Sequence, residues 1–252
     1  MGFIGREIGH FFVGVMFLTR LPVPRGLQQL DGRLARSAQY FPLIGVLVGL
    51  ITGGVFYAAS QVLHGYLAAG LAILAGILVT GALHEDGLAD CADGIWGGAT
   101  RERALEIMRD SRVGTYGACA LVATLCLRGM ALFDVEPIEG LIMLIVAHAV
   151  SRAMIPPVLV SGRYARTRGL ASSVAEGVST TGAALALVLA FGVAMIAGPV
   201  AAIAGFAAAM VAAGVMLWVL VGKLGGYTGD GLGAIQQCAE VAVLITLSGL
   251  LG

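Results

Sequence analysis

Charge is scarce in this chain. Only 12% of its 252 residues are Asp, Glu, Lys or Arg, about half the ~25% of an ordinary soluble domain. That shortfall argues against a fully hydrated surface. There are only four cysteines, Cys91, Cys119, Cys126 and Cys238. None has metal-ligand spacing, and Cys119 and Cys126 share one apolar run, so they are expected as small core residues. The formal net charge is zero, and no nucleic-acid partner is expected. A cleavable signal is not evident either. The first apolar stretch, Ile8 to Leu18, is short for a span, and no small-residue cleavage site follows it. It is expected to be an interfacial or re-entrant helix.

What is present is apolar sequence in long blocks. Hydrophobic residues make up 58% of the chain, and the mean hydropathy is +0.93. Several blocks approach or exceed the ~20 residues that cross the hydrocarbon of a bilayer. The reading is an all-α, polytopic integral membrane helix bundle forming one domain over residues 1–252. Seven candidate spans emerge: Phe41–Leu63, Tyr66–Leu83, Gly114–Phe133, Ile138–Val158, Thr181–Ala197, Pro199–Val221 and Ile235–Leu251. Gly198-Pro199 predicts a tight break after the fifth. The fifth and sixth are rich in Ala and Gly, which let membrane helices pack closely.

The basic residues are distributed unevenly. Arg6, Arg20, Arg25, Arg33 and Arg36 precede the first span. Arg101, Arg103, Arg109 and Arg112 lie between the second and third. Arg163, Arg166 and Arg168 lie between the fourth and fifth, and Lys223 between the sixth and seventh. Only Arg128 and Arg152 fall within spans; the opposite loops show His64, Asp134, Glu136 and Glu139 instead. The positive-inside rule then places the N-terminus and these basic loops in the cytoplasm, and the C-terminus outside.

Within this apolar chain, GALHEDGLADCADGIWGG (residues 81–98) concentrates four acids and a histidine. Asp86, Asp90 and Asp93 recur at i, i+4 and i+7, so on a helix they share an arc of roughly 60°. Carboxylates on one stripe repel unless cations compensate. A divalent, oxygen-seeking cation does this, and Mg²⁺ in particular favours few carboxylates together with waters and substrate phosphates. Asp86, Asp90 and Asp93 are therefore the candidate metal ligands. His84 is a candidate substrate contact, and Glu85 points about 100° away from Asp86. The neighbouring glycines are expected to let a bulky substrate approach the backbone. A solvated acidic loop and a transporter cation site are the alternatives. The first does not explain the stripe, and the second favours acids nearer mid-membrane.

Three further segments of the same face stand out. TRERALEIMRDSRVGTYG (residues 100–117) reads as an interfacial helix with snorkelling arginines, or as a source of phosphate clamps in Arg109 and Arg112. Asp110 either joins the metal or pairs with an arginine. GKLGGYTGDGLGA (residues 222–234) is glycine-rich enough to wrap a phosphate with backbone N–H groups, with Gly226, Thr228 and Gly229 as candidates. Asp230 brings a fourth carboxylate to this face. FLTRLPVPRG (residues 17–26) is held extended by Pro22 and Pro24, and Arg20 is a candidate phosphate ligand. Glu240, inside the last span, is a functional candidate by its place there, or a partner for Arg152 or other groups of the bundle. His10, His64 and His148 are isolated in sequence and expected to be structural.

FLTRLPVP, YFPLIGVLVG, HEDGLADCADGIWGG, LEIMRDSRVGTYG and GGYTGDGLGA occur in that order between residues 17 and 234. Together they resemble the cobalamin synthase family, the adenosylcobinamide-GDP ribazoletransferases. The family usually has an apolar residue where this chain has Glu85, and often Thr in place of Cys91. The resemblance implies a Mg²⁺-dependent inner-membrane enzyme that joins adenosylcobinamide-GDP to α-ribazole, or its 5′-phosphate, and releases GMP. For such a reaction, the residues read above are assigned as follows: Asp86, Asp90 and Asp93 to one or two metals, one of these or Asp230 as proton acceptor, and Arg109, Arg112 and Arg20 to phosphates. A homo-oligomer is compatible with it. The nearest rival, a CDP-alcohol phosphotransferase, has the signature D-x-x-D-G-x-x-A-R; here Asp86-Gly87 is followed by Leu88-Ala89-Asp90-Cys91, with Asp and Cys in place of the Ala and Arg. The non-enzyme rival, a cation or metabolite transporter, predicts more polar residues along the spans than Arg128, Arg152 and Glu240.

Overall fold

The computed structural model describes residues 3–24, 34–166 and 177–252. Arg25, Arg33 and Arg168 of the charge map lie outside the described residues. The elements are α1 (Phe3–Leu18), α2 (Leu34–Ser37), α3 (Phe41–Ser60), α4 (Gly65–Thr80), α5 (Leu83–Gly97), α6 (Arg101–Ile107), α7 (Thr115–Ala131), α8 (Pro137–Ala153), α9 (Ile155–Ser161), α10 (Thr180–Ala194), α11 (Pro199–Leu224) and α12 (Gly229–Leu251). The described residues contain no β-strand, only one isolated parallel bridge between Tyr164 and Tyr227. This is an all-α, multi-pass membrane bundle.

Among the described residues, five segments are long and apolar enough to cross a bilayer: Leu34–Ser60, Pro137–Ser161, Thr180–Ala197, Pro199–Leu224 and Gly229–Leu251. α4 and α5 qualify only as a pair, and they meet at 91°. α7 has 17 residues, at the lower limit for a span. The described residues thus hold five helices able to span, or six with the bent pair, where the hydropathy pattern suggested seven. The difference arises at α4 and α7, both too short to qualify alone. The break at Gly198 is as expected: its φ is +90°, and Pro199 begins α11.

α8 is the centre of the bundle. Every residue from Met143 to Ala153 is buried, as suits a helix surrounded by protein. α3 packs along it most extensively. Gly45, Gly49 and Gly53 line that contact, one turn apart, and a Cβ at Gly49 would lie 2.5 Å from Ile145 Cα. Small residues at this spacing let membrane helices meet backbone to backbone. α12 packs against α11, α8 and α5. On the outer side, α11 leaves Val200, Ile203, Met210, Val211, Val215 and Trp218 exposed, an apolar face suited to lipid.

The feature that places the acidic stretch is the turn between α4 and α5. Gly81 and Ala82 have φ of +65° and +58°, and the Gly81 N–H closes α4 on the Ile77 carbonyl. Left-handed residues here end one helix and restart another at right angles. α5 is thereby held against α12 and α7.

Candidate active site

α5 runs without interruption through the whole acidic stretch, so the aspartate stripe exists as a helical face. A rise of 1.5 Å per residue separates Asp86 from Asp93 by about 10 Å along the axis. Their surroundings differ accordingly. Asp86 is exposed, Asp90 is half-buried and Asp93 is buried. Asp93 accepts N–H bonds from Gly114 at 2.7 Å and Gly117 at 2.9 Å. Both amides belong to the unsatisfied first turn of α7, so Asp93 caps that helix. Each of its oxygens retains a lone pair.

Asp230 completes the group from the first turn of α12. The contact depends on glycine. A Cβ at Gly87 would lie 2.7 Å from the Asp230 carbonyl oxygen, and one at Gly233 would lie 3.2 Å from the His84 carbonyl oxygen. The α5 and α12 backbones therefore touch, and Asp90 feels the negative charges of Asp86 and Asp230. Gly94 and Gly98 likewise admit the α6 residues Ala104 and, at Gly94, the adjacent Met108. These glycines serve helix packing rather than the open substrate approach expected of them; only Gly97 is unencumbered except for the tip of Ile107.

Among the described residues, one cation is paired with these acids. Arg166 Nη2 donates to Asp230 Oδ2 at 2.8 Å and to the Met108 carbonyl at 3.4 Å. Nothing in the sequence distinguished Arg166 from its neighbours Arg163 and Arg168. Its position follows from the bridge that ties residues 163–165 to Tyr227, with Tyr227 N–H to the Arg163 carbonyl at 2.9 Å and Ala165 N–H to the Tyr227 carbonyl at 2.8 Å. Arg101 reinforces the arrangement by donating to the carbonyls of Leu224 and Ala165, each at 2.7 Å.

The other expected ligands are distributed around this centre. Gly226 is packed under the Arg163 carbonyl, and the Thr228 hydroxyl accepts the Gly231 N–H at 3.0 Å as the α12 cap. Both are committed to shaping the loop, while Gly229 lines the adjacent cavity. Arg20 is exposed and lies over the α4–α5 turn, against Gly81. Arg112 and Asp110 form an exposed double contact, with 3.0 Å between Arg112 Nε and Asp110 Oδ1. This pairing holds the Asp110 carboxyl near pKa 2, but exposed pairs exchange partners readily. Arg109 is also exposed and has no side-chain ion pair among the described residues.

Two cavities border the stripe. One, of about 280 Å³, is lined by Asp86, Asp230, Arg166, His84 and Gly229 on one side and by apolar residues on the other. The second, of about 340 Å³, is lined by Asp93, Arg103, Arg112 and Tyr116. Asp90 stands between them on the helix.

Behind the site lies a buried network that the sequence did not reveal as a unit. Glu240 is 2.7 Å from Arg128, 2.9 Å from His148 and 3.7 Å from Arg152. Arg128 also reaches Glu85 at 3.1 Å. Gln237 donates to Glu85 at 3.2 Å, and Gln236 to Glu240 at 2.6 Å. With neutral histidine, two arginines balance two glutamates. Glu85 therefore points away from the aspartates, as the 100° offset predicts. His148 is a partner of Glu240, not an isolated residue. His84, buried with its Nε2 unpartnered, lies between this network and the first cavity.

Residues 10–248 match the family model described as cobalamin-5-phosphate synthase. The chain belongs to this family. Its relatives include proteins named adenosylcobinamide-GDP ribazoletransferase from Bradyrhizobium diazoefficiens, 40% identical over 96% of this chain and 94% of the relative, and from Leptothrix cholodnii, 39% identical over 95% and 94%. One from Shewanella frigidimarina is 36% identical over 96% and 95%. No solved structure matches.

The donor set suits the Mg²⁺ that the resemblance implies. Among the described residues, Arg166 is the guanidinium that pairs with this group of Asp86, Asp90 and Asp230, leaving negative charge for a cation to neutralise. Among the described residues no three acidic, His or Cys side chains converge into a ready-made cage. Mg²⁺ commonly takes one or two carboxylates and completes its shell with water and substrate phosphate.

Proposed function

We propose that the protein transfers the phosphocobinamide group of adenosylcobinamide-GDP to α-ribazole, or its 5′-phosphate, with release of GMP. The observation that supports this most directly is the placing of Asp86, Asp230 and Arg166 around one cavity, with Asp90 in electrostatic reach of all three, in a chain whose relatives carry that name. A ribose hydroxyl attacks the phosphorus on the cobinamide side of the pyrophosphate. The P–O bond to the GMP phosphate breaks, and GMP leaves with that oxygen. Such transfers depend mainly on positioning and electrostatic stabilisation.

Asp86 and Asp90 are the proposed holders of Mg²⁺, with Asp93 contributing through its remaining lone pairs. The bound cation would neutralise the pyrophosphate. Asp230 lies at the cavity and accepts the proton of the attacking hydroxyl. Arg166 exchanges part of its contact with Asp230 for a phosphate oxygen, and Arg109, Arg112 and Arg20 hold the outer phosphates. The basic loops support an inner-membrane protein whose site faces the cytoplasm.

Purified protein in lipid, given adenosylcobinamide-GDP, α-ribazole and Mg²⁺, is expected to release GMP and form a cobamide. Turnover of a CDP-alcohol with no cobamide would overturn the proposal. EDTA is expected to abolish turnover and added Mg²⁺ to restore it.

A further inference from the structure

The two cavities beside α5 differ in chemistry. The second is bordered by Arg103, Arg112, Asp93 and Asp110, a polar setting suited to phosphates. The first has an apolar wall made by Phe17, Phe41, Ile155 and Leu159, facing Asp86 and Asp230. The Phe17 and Phe41 rings are nearly parallel, 19° apart, with centroids 6.2 Å from each other. Phe41, Ile155 and Leu159 are buried, so this wall belongs to the fixed core of the bundle.

Size decides what such a cavity can take. About 280 Å³ is near the lower end of the ~300–1,000 Å³ typical of small-molecule pockets. A corrin macrocycle with its polar amide arms is too large and too hydrophilic for this space. The guanine of the donor is planar but edged with donors and acceptors that the apolar wall would leave unpaired. A benzimidazole is flat, compact and mostly apolar, and carries its ribose at one edge.

On the reaction proposed above, we infer that the Phe17–Phe41–Ile155–Leu159 cavity receives the base of α-ribazole, with the corrin ring outside it. The base then lies against the apolar wall while the ribose hydroxyls emerge beside Asp86 and Asp230. The pyrophosphate donor approaches from the Asp93 and Arg112 end. The two substrates meet near Asp90 along a single helix. Selection of the lower base is thus a property of the buried wall, physically separate from recognition of the donor.

The test is a split of KM values in the full-length protein in lipid. Leu159→Phe reduces the cavity. The KM for α-ribazole is expected to rise about tenfold, the scale of one or a few carbons in an apolar pocket, while the KM for adenosylcobinamide-GDP stays unchanged. The riboside of unmethylated benzimidazole should recover most of the loss. Leu159→Ala enlarges the cavity and should shift preference toward bulkier bases; it serves as the test if Leu159→Phe does not fold.

An unchanged α-ribazole KM in the folded variants, as when a lipid chain occupies the cavity, would overturn the assignment. Equal rises in both KM values, or no recovery with the smaller base, would also overturn it. In those cases wild-type release of GMP leaves the reaction itself standing. A wild type that releases no GMP overturns the reaction and the assignment together.

Discussion

Asp86 and Asp93 belong to one stripe but differ in their neighbours. Asp93 binds two amides of α7, whereas Asp86 lines a cavity. Asp93→Asn retains an acceptor oxygen but replaces the other with a donor, which faces an N–H. It should both lower the rate and loosen α7. Asp86→Asn should lower the rate with little effect on stability. Thermal unfolding in detergent distinguishes them: a clear fall in Tm is expected for Asp93→Asn, by about the cost of a lost helix cap or worse, ~1 kcal/mol. Equal Tm values would contradict the capping role. Arg128 gives the corresponding test of the buried network. Arg128→Met leaves Glu85 and Glu240 without their shared cation and should cost roughly 3 kcal/mol or more. Glu85→Gln leaves Arg128 paired with Glu240 and should be milder in both stability and rate.

At the level of the helices, the glycines carry the clearest consequences. Gly49→Leu drives a side chain into the α8 backbone at Ile145 and should destabilise by about 1–3 kcal/mol or more. Gly54 has nothing within 4 Å of an added Cβ, so Gly54→Ala should be neutral or slightly stabilising, by up to about 1 kcal/mol. Comparing folded yield and Tm of the two variants checks the α3–α8 packing; equal losses would contradict it. These helices also show what could be read from sequence. The i, i+4, i+7 spacing correctly placed Asp86, Asp90 and Asp93 on one helical face, and the 100° offset removed Glu85. Hydropathy found the long helices, because each has enough apolar residues alone. It could not show that α4 stops at Gly81, because left-handed Gly81 and Ala82 turn an apparently continuous segment by 91°. Arg166 and the Glu85–Arg128–Glu240–His148 network were hidden for another reason. Their partners lie 43 to 112 positions apart in the chain, and only the tertiary fold joins them.

At the scale of the whole molecule, the charge asymmetry and the site predict the same orientation. Arg166 joins Asp230 to Met108, and Arg101 joins Leu224 to Ala165, so the acids and these basic residues are grouped together, while Glu136 precedes α8. A single cysteine introduced at Glu136, in a background lacking the native cysteines, should react with an impermeant thiol reagent only from outside the cell. Labelling only from the cytoplasmic side would reverse the orientation. The central claim is that the carboxylates where α5 meets α12 perform the transfer. The most direct measurement is GMP release from adenosylcobinamide-GDP and α-ribazole by Asp90→Asn, in lipid, over a range of Mg²⁺ concentrations. The predicted result is a correctly folded protein whose rate falls by about 10²–10³-fold or more at every concentration, on the scale of losing a group that stabilises transition-state charge. Wild-type turnover by folded Asp90→Asn, with an unchanged Mg²⁺ response, would contradict the account.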